Sequence, residues 1–190
     1  IDNWFNIVTK IEIFYPLNES LKGIEIIDSP GVCAKGGVSE VTTKYIKDAN
    51  AIIFLKPITG QAIESAQFSQ FVNNTIIGRN KEVLFLVFTR VAQMNENDFM
   101  CLQEEAYKQF KQLNKENILF VDSKAEISAK IFNSLATIND VHNKVKELKD
   151  SKELEDFVEL SYYNTIGGYA NGSMSDFISS LESKSRFRSV

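Results

Sequence analysis

The sequence predicts a three-layer α/β domain with a mostly parallel sheet, one antiparallel edge strand and extra helices toward the C-terminal end. Three observations carry that prediction. Continuously apolar runs at residues 51–55 (AIIFL), 83–88 (VLFLVF) and 118–121 (ILFV) have the length and character of strands covered on both faces. Segments with apolar residues three and four apart separate these runs. Strand and helix therefore alternate, which calls for parallel strands joined by crossover helices.

The elements follow in order along the chain. Residues 10–17 (KIEIFYPL) alternate apolar and polar side chains, as an edge strand with one buried face does. Residues 18–22 are polar and hairpin-sized, and residues 23–28 (GIEIID) form a second expected strand, stopped by Ser29-Pro30-Gly31. Val38, Val41, Tyr45 and Ala49 share one helical face behind Ser39, and Ile63, Ala66, Phe71 and Thr75 do roughly the same in the next segment. The clearest helix covers residues 97–113, where Phe99, Leu102, Ala106, Phe110 and Leu113 recur at helical spacing. Beyond Asp122 the chain turns helical and charged, with residues 144–159 rich in Lys, Glu and Leu. A Gly/Asn/Ser cluster at residues 167–173 precedes a short amphipathic tail. No internal repeat or low-complexity tract interrupts this order.

Composition narrows the function classes. The 190 residues, 44% hydrophobic and 24% charged, suit one globular domain or a domain with a helical tail. A formal net charge of -4 without a long basic run gives no support for a nucleic-acid partner. The longest apolar runs are strand-length, far short of a membrane span, and no secretory signal stands at Ile1. Since position 1 is not Met, the expectation is an engineered, processed or partial chain. Cys33 and Cys101 lie far apart without metal-ligand spacing, and His142 is the single histidine. Disulfide frameworks, zinc sites and histidine triads are poorly supported, and a reducing cytoplasm is the expected location. His142 on a charged helix reads as solvated, and Glu104-Glu105 as an exposed helix face. The phenylalanines recur at core spacing, with Phe68 and Phe99 the two candidates for a partner surface.

The most informative segment is the apolar strand ending in Asp28-Ser29-Pro30-Gly31. An aspartate at the carboxyl end of a strand in an open α/β sheet sits where such sheets bind ligands. From there it can hold Mg²⁺, usually through water, because Mg²⁺ keeps much of its hydration shell. Proline stiffens the turn, and glycine lets a backbone N–H approach a terminal phosphate. The same four residues are also good turn formers with no ligand at all.

This segment resembles the switch II motif of GTPases, Asp-x-x-Gly, in the Asp-x-Pro-Gly form typical of dynamin-like large GTPases. Residues 31–40 look like switch II itself, and residues 48–57 (DANAIIFLKP) are similar to the family's next strand. Thr89-Arg90-Val91-Ala92 stands where the family has Thr/Asn-Lys-x-Asp to read guanine, so the guanine-binding aspartate is replaced by Ala92. Asp122-Ser123-Lys124 resembles the loop whose Ser-Ala-Lys supports the base. The resemblance covers roughly the first two-thirds of the chain.

A GTPase of this kind needs G-x-x-x-x-G-K-[ST], whose amides and lysine cradle the phosphates. Nothing before Asp28 fits, and the glycines at Gly31 and Gly36 are followed by Gly37-Val38. Residues 166–175 (IGGYANGSMS) place Gly167 and Gly172 at the right spacing, but Ser173 stands for the lysine and Met174 for the metal-binding hydroxyl. Two readings stay open: a degenerate phosphate loop in a circularly permuted domain, or a flexible linker whose Gly-Ser-Met marks a join.

The expected organisation is a GTPase-like core at residues 1–135, a helical extension at 136–165 and the ambiguous tail at 166–190. The resemblance implies GTP and Mg²⁺ as cofactors, Asp28 as the metal-positioning residue and the Gly31 amide at the γ-phosphate. It also implies Thr89, Arg90, Ser123 and Lys124 around the base, with Gly167, Gly172 and Ser173 as phosphate-loop candidates. The implied activity is GTP hydrolysis coupled to self-association and membrane remodelling, with G-domain dimerisation and peripheral membrane association through other parts. The alternative is a nucleotide-free pseudo-GTPase that serves as a dimerisation or protein-binding module.

Overall fold

The computed structural model describes residues 13, 19–28, 45–58, 66–151, 163 and 173–187. Three strands, β1 (Ile52–Pro57), β2 (Leu84–Thr89) and β3 (Ile118–Val121), form one sheet in the order β1-β2-β3. Both pairings are parallel, with Ile52 opposite Leu84 and Leu86 opposite Ile118. Helices α1 (Ala66–Ile76) and α2 (Glu96–Gln109) are the crossovers. They are followed by α3 (Ser123–Phe132), α4 (Ile138–Ser151) and α5 (Met174–Ser185). The α/β class and its parallel sheet flanked by helices are as expected, and they are consistent with a P-loop-like three-layer fold.

Period-two alternation places Leu84, Leu86 and Phe88 on one face of β2, and all three are buried. Against that face lie Val72 and Ile76 of α1, then Phe99, Leu102 and Ala106 of α2. Phe110 and Leu113 follow α2 into the same core, so the whole expected apolar stripe of residues 97–113 is buried. Ring contacts lock the layer: Phe88 stacks on Phe120 at 5.2 Å, and Phe99 meets Phe120 edge-on at 5.5 Å. Helix α2 starts where Asn95 accepts the N–H of Asp98 at 2.9 Å, a side-chain cap of the usual kind. Asn117, buried just before β3, donates through Nδ2 to the carbonyls of Lys81, Glu82 and Leu84 and ties the entries of β2 and β3 together.

A second core gathers Ala125, Ala129 and Phe132 of α3, Val141 and Val145 of α4, and Phe177 and Leu181 of α5 around Tyr163. The Tyr163 hydroxyl lies 3.0 Å from Ser128 Oγ in this interior. Side chains from all three expected segments share it, so α5 is a docked helix; residues 166–172, where the phosphate-loop and linker readings fall, lie outside the described residues.

Two strand expectations are corrected. Residues 24–28 form no strand: Ile24, Ile26 and Ile27 are 53%, 82% and 45% exposed. Alternation alone does not make a strand, because its amides and carbonyls need a neighbour, and no described strand pairs with this segment. The partner expected for it, residues 10–17, lies outside the described residues except Ile13, which is exposed. Likewise β1 is not covered on both faces: Ile52 and Phe54 are buried, but Ile53 and Leu55 are 63% and 64% exposed. Among the described residues, the helical cover reaches only one side of this strand. Phe99, a candidate partner surface, is buried; Phe68 is half-buried, edge-on to Phe110. His142, Glu104 and Glu105 are exposed, as their helical context suggests.

Candidate functional site

The carboxyl edge of the sheet holds most of the described candidates. Register sets their level: Thr89 lies opposite Pro57 on one side and opposite Val121 on the other. The next residues, Arg90 and Asp122, therefore leave the sheet side by side. Thr89 is half-buried, and its carbonyl accepts the N–H of Ile58 at 2.9 Å. Arg90 takes a left-handed conformation, with φ of 67°, and its side chain is exposed. For a residue with a Cβ that conformation costs about 1–2 kcal/mol. It bends the chain so that Val91 and Ala92 turn into the interior, where both are buried.

Asp122 joins the two loops. It is 3% exposed, and its two carboxylate oxygens accept from different places. Oδ1 takes the N–H of Ala125 at 3.1 Å and caps α3, while Oδ2 takes the N–H of Ala92 at 3.0 Å from the loop after β2. An aspartate directly before an apolar-periodic helix is a recognisable cap signal, so the first contact was legible. The second spans 30 residues and has no local signature. The backbone N–H of Asp122 donates to the Ser185 carbonyl at 2.9 Å, which brings the end of α5 to the same edge.

Around this pin, Ser123 is exposed at the first position of α3 and Lys124 is half-buried beside it. Thr89, Arg90, Ser123 and Lys124 are thus brought to one edge. Asp28 is not placed with them by any described contact. It ends the exposed segment 24–28, and Gly31 lies outside the described residues. Gly167 and Gly172 also lie outside them. Ser173 caps α5, accepting the N–H of Asp176 at 3.3 Å. The opposite end of that helix meets Asp122. Twelve residues at 1.5 Å each set Ser173 about 18 Å farther along the helix axis. The helix N-terminus that a phosphate would need points away from this edge.

The residues present fit a guanine nucleotide only in part. Arg90, Ser123 and Lys124 supply donors and a hydroxyl at this edge, where the resemblance would put a base. The paired acceptor that selects guanine is missing: Ala92 has none, and both oxygens of the neighbouring Asp122 already hold backbone amides. Among the described residues, no cluster of three or more His, Cys, Asp or Glu side chains offers a metal site. A single exposed carboxylate such as Asp28 is compatible with water-mediated Mg²⁺, the weakest form of such a site.

One curated relative shares part of this sequence. A bacterial dynamin-like protein from Nostoc punctiforme is 34% identical over 73 residues. That stretch is 38% of this chain and 10% of the relative, so the likeness supports a dynamin-like relationship at a coarse level. No family model matches the chain. No solved structure matches it. No helix among the described residues is long and apolar enough to cross a membrane.

Proposed function

We propose that this chain is the part of a dynamin-like G domain that runs from switch II to the base-binding loop. In this reading the parent protein hydrolyses GTP to drive self-association and membrane remodelling. The observation that carries it is the Asp122–Ala92 bond, which joins the two loops that the resemblance assigns to the base. A parallel sheet that delivers Arg90 and Ser123 to one edge, and the shared stretch with a dynamin-like protein, add support. Thr89, Arg90, Ser123 and Lys124 would surround the base, and Asp28 would hold Mg²⁺ through water. Bound Mg²⁺ would supply charge stabilisation at the phosphates.

A second reading is favoured by a specific observation. Ala92 is buried, and its N–H is already bonded to Asp122. An edge whose guanine acceptor is gone suits a nucleotide-free pseudo-GTPase that works as a dimerisation or protein-binding module.

Calorimetric titration with a non-hydrolysable GTP analogue and Mg²⁺ separates the two readings. It is run on this chain, on Ala92→Asp and on Arg90→Ala. Binding that strengthens in Ala92→Asp and weakens in Arg90→Ala supports the G-domain reading. Absence of binding in both the unaltered chain and Ala92→Asp supports the nucleotide-free module.

A further inference from the structure

We propose that residues 184–186, the last turn of α5 and its exit, are a positioning clamp for the two loops at the carboxyl edge of the sheet. The claim that these loops serve a base rests on the reading above; the clamp itself rests on contacts alone.

Three consecutive residues reach three different elements. Lys184 Nζ donates to the carbonyl of Met94, at the end of the loop after β2, at 3.2 Å. The Ser185 carbonyl accepts the N–H of Asp122, and its hydroxyl donates to Glu126 of α3 at 2.9 Å. The Arg186 guanidinium lies 3.4 Å from the centroid of the Phe99 ring and 3.4 Å from Glu96, both on α2. The loop after β2, the loop after β3 and the helix leading back into the core are thereby tied to one turn. The partners lie 90 residues away for Lys184 and for Arg186, so the ties are tertiary and not local.

The local conformation marks the turn as set by these contacts. Arg186 ends α5 in the left-handed region with φ of 58°, a position usually taken by glycine or asparagine. A side chain held there against its own preference is held by its partners, here an aromatic face and a carboxylate. Asp122 then completes the chain of contacts. Its N–H is anchored by Ser185 while its carboxylate anchors Ala92, so a shift of the clamp reaches both loops through one residue.

Amide hydrogen exchange, followed by NMR on the 190-residue chain, tests this with Arg186→Ala and Lys184→Met. Val72→Ala in the first core, which holds no residue of α5, serves as a control for general loss of stability. The expected result is exchange about tenfold faster at the Ala92 and Asp122 amides, with Leu86 and Phe88 of β2 unchanged, because only local opening is made easier. Selective loosening in either variant upholds the clamp. Protection unchanged in both, or loosening that runs equally through β2 as in the control, overturns it. Calorimetry with the GTP analogue on the same variants keeps the two proposals apart. If the unaltered chain binds none, the base-site reading falls and the exchange result still decides the clamp. If it binds, affinity lost in Arg186→Ala supports a role in base positioning, and unchanged affinity overturns that role.

Discussion

The carboxylate of Asp122 and the amide of Ala92 stand 3.0 Å apart, and the bond between them is buried at the edge of the sheet. It makes the two loops after β2 and β3 a single structural unit. Asp122→Asn replaces one acceptor with an NH₂ group that must face either the Ala92 or the Ala125 N–H, so one contact becomes donor against donor. A loss of about 2–3 kcal/mol is expected, measured as a lower urea midpoint with unchanged slope. Asp122→Ser keeps a short capping acceptor for Ala125 and is expected to lose less.

Asn117 donates to three carbonyls through one nitrogen and so ties the entries of β2 and β3 together. In Asn117→Leu those carbonyls lose their donor in a water-poor place, which is expected to cost about 1–3 kcal/mol in chemical denaturation. Asn117→Asp sets an acceptor against acceptors and is expected to cost more. An equal loss in both variants would show that side-chain volume matters here and the bond does not.

The Ser128–Tyr163 pair offers a double-mutant cycle in the second core. Tyr163→Phe is expected to cost about 1 kcal/mol, because the Ser128 hydroxyl loses its phenolic partner. Ser128→Ala with Tyr163→Phe is expected to lose less than the two single changes added together. Strict additivity in urea melts would mean that the two hydroxyls do not interact.

The bare face of β1 predicts tolerance. Ile53→Thr and Leu55→Lys are expected to change stability by no more than about 0.5 kcal/mol. Leu86→Ala, on the buried face of the neighbouring strand, is expected to cost about 2–5 kcal/mol. Light scattering at high concentration is expected to fall in the Ile53→Thr/Leu55→Lys double variant, since exposed apolar strand surface promotes association. A large loss of stability from Leu55→Lys would mean that the face is covered in solution.

The sequence made the repeating elements legible and left the closing contacts hidden. Apolar runs located all three strands to within two residues at either end, and the spacing of Phe99, Leu102 and Ala106 found α2, because both signals are periodic and local. Residues 24–28 carried the same alternating signal without forming a strand, since pairing depends on a neighbour that alternation does not reveal. At the candidate site, Arg90, Ser123 and Lys124 were singled out by motif, and register explains why they leave the sheet at one edge. Ser185 was missed because its contact with Asp122 runs through a backbone carbonyl, which every residue type carries equally. Ser173 was a phosphate-loop candidate on spacing, and in the structure it is the N-cap of α5.

The turn at residues 184–186 also sets an order of events during synthesis. Both loops it touches are made well before it, and at roughly 5–20 residues per second it follows Asp122 by on the order of 3–12 s. In that interval β1, β2, β3 and α2 can already collapse around Phe88 and Phe120, because their contacts need nothing later in the chain. The edge with Arg90 and Asp122 cannot yet be finished. The first core thus closes before the candidate site, so a ribosome-bound chain halted before residue 184 should be folded in the sheet yet open at that edge.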